Sequence, residues 1–284
     1  MKSRLFERRI SARSILFSEE RVIVLLIEEE CMERAHNSER LEIFFSEKLK
    51  GIGYDGAIGV ADFKKVYDEL MPVQRCKLKD LCGDHFQSLQ KNGSIICIGI
   101  AYPKHAIDCI DVRLSNGTAD KHTWNIYARE YHRLNSFLNA ISTDISDHFE
   151  GVSIPATVEG IAVNDVEDYY KKTVSHRVIA ENAGLGWRGK NELVINEKFS
   201  CALRFASVIT SFPLIHARKV EASCGNCEAC LEVCSFLRNK NKLKNYQESC
   251  RKYIVQLGLK GEVCGKCIKA CYRHSMFSNR FRLK

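Results

Sequence analysis

Apolar positions recur at spacings of three and four over residues 38–50, where Leu41, Phe44, Phe45 and Leu49 fall on one face. That periodicity predicts a helix, and Ser38 stands where a side-chain cap would start it. Gly51 and Gly53 then lead into residues 54–60, which read as a strand. Residues 94–102 are a continuous apolar run, opened by Asn92-Gly93 and closed by Pro103. Such a run fits a strand buried on both faces, as in an α/β sheet. Helical spacing returns over residues 124–149, with Leu134, Phe137, Leu138 and Ile141 in register. Residues 157–163 read as another strand. Residues 175–182 read as a helix that stops at Gly184. Residues 192–195 and 205–210 read as strands, and a short helix is expected near residues 243–258.

Beyond residue 217 the chemistry changes. Eight of the fourteen cysteines fall within 48 residues. Cys224, Cys227, Cys230 and Cys234 form a C-x2-C-x2-C-x3-C run; Cys250 is followed by Cys264, Cys267 and Cys271. A 4Fe–4S cube needs four thiolates, and in two-cluster ferredoxins the fourth Cys of each run ligates the other cluster. The spacing therefore assigns Cys224, Cys227, Cys230 and Cys271 to one cluster, and Cys234, Cys250, Cys264 and Cys267 to a second. Ser235 and Tyr272 stand where a Pro commonly follows such runs. Zinc held by paired C-x2-C hooks is the competing reading. Disulfides belong to oxidising compartments and small secreted domains. Thiolates and clusters need reducing surroundings, so a cytoplasmic location is expected.

Strands alternating with helices predict an α/β class with a mixed sheet and flanking helices, followed by a small ferredoxin-like two-cluster module. The expected division is a poorly ordered extension over residues 1–37, an α/β domain over 38–217, and the cluster module with a basic tail over 218–284. At 284 residues and 45% hydrophobic content, a sizeable core is expected. The apolar run over residues 22–27 is six residues long, too short to span a bilayer, so no membrane partner is expected. The first residues are rich in Arg and Ser, faintly like a transit peptide, and Met32 is an alternative start. The net charge of +8 permits an anionic partner, though a solvated basic face explains it equally well.

A second informative stretch runs Ala183-Gly184-Leu185-Gly186-Trp187-Arg188-Gly189-Lys190-Asn191. Its glycines let the backbone turn sharply and approach a ligand closely. Trp187 offers a flat face to a planar cofactor, and Lys190 a charge for an anionic group. A helix stop followed by a tight turn explains the same residues without any ligand.

This stretch, AENAGLGWRGKNELVIN, followed by an apolar strand and the eight cysteines, resembles the epoxyqueuosine reductase family. IGYDGAIGVADF, GSIICIGIAYP and the Tyr127-Ala128-Arg129-Glu130-Tyr131-His132 segment extend the resemblance over roughly residues 38–275. It implies an α/β domain binding a corrinoid (cobalamin) around Gly184, Gly186, Trp187 and Lys190, with two 4Fe–4S clusters supplying electrons. Reduced ferredoxin or flavodoxin is the implied electron donor, and epoxyqueuosine in tRNA the implied substrate. The family's acid lies about seventeen residues before the Trp. Ungapped counting reaches Tyr170, and a two-residue shift reaches Asp168, so both are candidate proton donors. The chain ends 13 residues after Cys271, where relatives often continue into a helical-repeat domain that helps hold tRNA. That weakens the expectation of a tRNA substrate. An electron-transfer protein serving a partner enzyme is the alternative.

Overall fold

A computed structural model describes residues 3–157 and 163–274, with side chains from residue 28 onward. Helix α1 (Ser3–Ile52) carries the first apolar face. Leu41, Phe45 and Leu49 are buried in the main core, and Phe44 packs against it. The helix does not begin at Ser38. No Gly or Pro interrupts residues 3–50, so nothing stops it from continuing upstream. Ser38 lies inside α1, and its hydroxyl accepts from the Ile215 amide at 2.9 Å. The expected boundary at residue 37 thus falls within one helix.

The chain continues through β1 (Gly56–Asp62), α2 (Phe63–Glu69), α3 (Pro72–Cys82), α4 (Phe86–Asn92) and β2 (Ser94–Ala101). Next come α5 (Lys104–Asp108), α6 (Lys121–His148), β3 (Gly151–Ile154), α7 (Val166–Lys172) and α8 (His176–Asn182). A small hairpin of β4 (Trp187–Arg188) and β5 (Val194–Ile195) precedes β6 (Leu203–Thr210). The main sheet has the order β1-β2-β6-β3. Each of its described pairings is antiparallel, where a mixed sheet was the expectation. The connections from β2 to β3 and from β3 to β6 are long enough to return a strand in either direction. Apolar patterning therefore leaves the pairing sense open. The strand expected over residues 157–163 falls mostly outside the described residues. β3, only four residues long, carries too little pattern to be read.

β2 is buried along its whole length between β1 and β6. Ile96, Ile98 and Ile100 enter one core with α1 and α6, while Ile95 and Cys97 enter the opposite core with α2 and α8. Cys97 is a packed small apolar side chain, as its surroundings suggest. Asp120 caps α6 by accepting from Thr123 N at 3.1 Å. Leu134, Leu138, Ile141 and Ile145 of α6 are buried. Ser175 caps α8, and Gly184 follows its end at φ 70°.

The cysteine-rich segment contains α9 (Ala229–Glu232), α10 (Ser235–Arg238), α11 (Tyr246–Leu257) and α12 (Lys266–His274). Asn245 caps α11, which ends at Gly258 with φ 62°. This segment is seated on the α/β part. Leu257 and Val263 join the main core. Trp124 Nε1 donates to the Cys264 carbonyl at 2.8 Å, and Arg273 pairs with Asp108 at 2.5 Å.

Candidate functional site

The eight cysteines separate into two groups of four. Cys224, Cys227, Cys230 and Cys271 line a void of about 10 Å³ together with Lys190, Asn191 and Ile195. Cys234, Cys250, Cys264 and Cys267 form part of the wall of a cavity of about 790 Å³. The local backbone explains how short loops present these thiols. Gly225 and Gly265 follow Cys224 and Cys264 at φ 49° and 80°, turning the chain inside each C-x2-C hook. At Gly265 a Cβ would also fall 2.7 Å from the Tyr127 ring, so the loop sits directly on that ring.

The donor set suits a polycationic group. Burial first, and neighbouring thiols second, push Cys230 up to about 11 and Cys250 to about 12. Cys264 rises to about 11, chiefly by burial, and Cys267 well above its ordinary value. Buried thiols placed beside one another resist ionising together unless a cation compensates the thiolates. Among the described residues, no three His, Cys, Asp or Glu side chains converge closely enough to hold a single metal ion. The first four cysteines line a small void and the second four lie along one part of the large cavity's wall.

The glycine-rich turn lies elsewhere than expected for a cofactor cradle. A Cβ at Gly184 would fall 2.9 Å from the Arg218 carbonyl oxygen, and one at Gly186 2.1 Å from that of Ile195. Both glycines thus allow backbone to approach backbone. Trp187 is buried beside Ile195, Cys201 and Cys271. Lys190 lines the smaller cysteine void. None of Gly184, Gly186, Trp187 and Lys190 is among the residues lining the large cavity. The turn supports the first cysteine group.

The two candidate acids part company. Asp165 caps α7 by accepting from the Asp168 amide at 2.8 Å, which leaves Asp168 in the exposed first turn. There its carboxylate meets Lys171 at 2.7 Å, and that contact holds it below the usual carboxylate range. Asp168 does not line the cavity. Tyr170 does, and burial raises its phenol above the ordinary value. Tyr169 beside it is pushed up to about 12.

Two features escape sequence reading. One is the wall built from Tyr102, Tyr127, Tyr131 and Arg204. Tyr127 and Tyr131 stand one turn apart on α6, and the Tyr102 and Tyr127 rings lie 4.9 Å apart. Arg204 stands one residue before the run read as a strand over 205–210, and lies within β6. The other is Cys201, buried against Cys271 and accepting from Asn191 Nδ2 at 3.3 Å. Ser200 Oγ meets the Cys271 sulfur at 3.0 Å.

Known proteins supply a comparison. No protein-family model matches the chain. It is 26% identical to the epoxyqueuosine reductase of Listeria monocytogenes over 166 residues, 57% of this chain and 40% of that protein. It is 34% identical to the Bacillus cereus enzyme over 61 residues, 22% of this chain and 16% of the relative. The chain is similar to the epoxyqueuosine reductases. The matched stretch spans about two fifths of the Listeria relative and less of the Bacillus one. The solved epoxyqueuosine reductase of Streptococcus thermophilus aligns with 84% of this chain and 66% of its own, at 18% identity and a TM-score of 0.46.

Proposed function

We propose that this protein is an iron–sulfur oxidoreductase of the epoxyqueuosine reductase type. Cys224, Cys227, Cys230 and Cys271 hold one 4Fe–4S cluster, and Cys234, Cys250, Cys264 and Cys267 a second, in a ferredoxin-like module. Such clusters supply electrons singly, over potentials set by their surroundings. One observation carries the reading: the second cysteine group forms part of the wall of the 790 Å³ cavity, so a ligand there adjoins the electron supply.

The chain's own residues position that ligand. Trp124 fixes the Cys264 carbonyl, and Lys266 is held by Asp111 at 3.2 Å and by the faces of Trp124 and Tyr253. Tyr127 fills the space between Gly265 and Tyr102 with a ring. The Tyr170 phenol keeps its proton at neutral pH, and its Oη is the proton source for a leaving oxygen. The cavity volume lies in the upper range of ligand pockets, and a corrinoid is the group we assign to it. Tyr169, Tyr170 and Phe205 are flat side chains available to such a ring. The substrate on this reading is epoxyqueuosine or a related modified nucleoside, including one carried in tRNA. The net charge of +8 favours such an anion. Reduced ferredoxin or flavodoxin in the cytoplasm would donate the electrons.

Anaerobic reconstitution followed by cobalamin titration tests this reading. Roughly eight irons and eight sulfides per chain are expected, with a change in corrinoid absorption and turnover of an epoxyqueuosine stem loop. Stoichiometric zinc in place of iron would overturn it. The exposed, ion-paired position of Asp168 favours a second reading, an electron-transfer protein without its own acid. Full cluster loading with reduction of a partner, but no corrinoid binding, would establish that alternative.

A further inference from the structure

Arg204 forms no salt bridge among the described residues. It projects from β6 into the wall of the large cavity. Its described hydrogen bonds all go to uncharged acceptors. Nε and Nη2 donate to Asn135 Oδ1 at 3.1 and 2.9 Å, and Nη2 also donates to the Thr157 carbonyl at 2.5 Å. Its guanidinium lies 4.4 Å from the centre of the Tyr131 ring. Tyr102, Tyr127 and Tyr169 are its other electrostatic neighbours. Three of the described carboxylates lie in this region, and Glu262 is one of them, on the cavity wall. Glu192 pairs with Lys240 at 2.9 Å, and Glu130 accepts from Tyr54 at 2.5 Å.

A cation held this deep by neutral groups is expensive unless an anion completes it. Neutral acceptors and an aromatic face orient the guanidinium without cancelling its charge. A guanidinium presents five donors in a fixed fork, and two described acceptors do not exhaust them. The Tyr102 hydroxyl, buried beside Tyr127, likewise makes no well-formed hydrogen bond among the described residues. Two polar groups on one wall therefore retain unused hydrogen-bonding capacity.

We propose that Arg204 is the binding residue for a compact oxyanion of the ligand, a phosphate or a carboxylate, at the tyrosine-lined wall of the cavity. This deepens the reading of the cavity as the ligand site, but it does not depend on the clusters. Within that reading the anion is the 5′-phosphate of the nucleoside substrate or a carboxylate in its place. The bidentate match between guanidinium and either group supplies orientation as well as affinity.

Calorimetric titration of the reconstituted protein with uridine, uridine 5′-monophosphate and uridine 5′-carboxylate tests the site. The monophosphate or the carboxylate should bind at least about tenfold more tightly than uridine, the difference expected for a charge-assisted bidentate contact. The stronger of the two identifies the anion. Arg204→Met should abolish that difference. Should this variant fail to fold, Arg204→Lys, which keeps the charge but loses the fork, should reduce the difference several-fold. Equal binding of all three probes, no binding of any, or an anion preference untouched in the folded variants would overturn the proposal. Anion selectivity in protein that incorporates no iron would leave this site standing and remove the reductase reading instead.

Discussion

Cys267 and Cys271 stand one turn apart on α12 yet line different voids. Cys230 and Cys234 repeat the relationship, one in α9 and the other just before α10. Residues four apart share a helical face, so a single turn links the two groups. The first run places three thiols at the small void and its last, Cys234, at the large cavity; the second places Cys250, Cys264 and Cys267 at the large cavity and its last, Cys271, at the small void.

On the proposed reading, this division makes the two clusters separable. Cys230→Ala should remove the first cluster and lower iron from about eight to about four per chain. Cys250→Ala should do the same for the second. Iron and sulfide analysis, with electron paramagnetic resonance of the reduced protein, reads both. Full iron content in either variant would disprove that ligand assignment.

The glycine turn makes a different kind of prediction. Gly186 has φ 150°, and a Cβ there would meet the Ile195 carbonyl oxygen at 2.1 Å. Gly186→Ala should therefore destabilise the fold by about 1–3 kcal/mol, the usual scale of such backbone strain. Gly51, in helix α1 with nothing within 4 Å of its added Cβ, is the control. Gly51→Ala should be neutral or stabilise by up to about 1 kcal/mol. Urea unfolding of the two variants measures the contrast. Equal stabilities would show that the close approach does not constrain this turn.

These two cases also show what the sequence could and could not convey. Cysteine spacing conveys which thiols lie near one another, because short loops admit few arrangements. The buried β2 strand was legible because residues 94–101 are apolar on both faces. The glycine turn was legible as a turn but not as a packing device. The partner atoms, Ile195 O and Arg218 O, come from segments that local pattern does not connect to it. Asp168 shows a similar limit. The Asp165-x-x-Asp168 pattern starts a helix whose cap leaves Asp168 exposed, and the two-residue shift from Tyr170 to Asp168 takes no account of that cap. Arg204 and its tyrosines come together from the residue after β2 and from α6, α7 and β6, a convergence that only the fold creates.

His176 predicts a pH dependence of stability. The ring is buried, with Nδ1 2.9 Å from Ser207 Oγ and Nε2 2.8 Å from the Pro155 carbonyl. Burial pushes it down to about 4 from 6.5. Between those values the unfolded chain binds a proton that the folded protein excludes. Stability from this group is therefore complete above pH 6.5 and falls as the pH drops toward 4. The slope should reach at most about 1.4 kcal/mol per pH unit. His176→Gln removes the titrating ring. It should be less stable than the parent at pH 7 and lose less further stability toward pH 5. Parallel pH profiles of the two proteins in urea unfolding would exclude His176 as the source.

Asp168 and Tyr170 predict opposite outcomes for the chemistry. Asp168 is ion-paired with Lys171 on the surface and stays ionised through the neutral range. Asp168→Asn should leave ligand binding and turnover within about twofold of the parent, as surface substitutions away from a site do. Tyr170 lines the cavity and holds its phenolic proton. Tyr170→Phe keeps the ring and removes only Oη. It should lower kcat by about 10²–10⁴-fold, the range for loss of a general acid, with cluster content and ligand affinity retained. Loss of affinity without loss of kcat would make Tyr170 a binding residue. Loss of turnover in Asp168→Asn alone would make Asp168 the acid and require its carboxylate to leave Lys171 and turn toward the cavity.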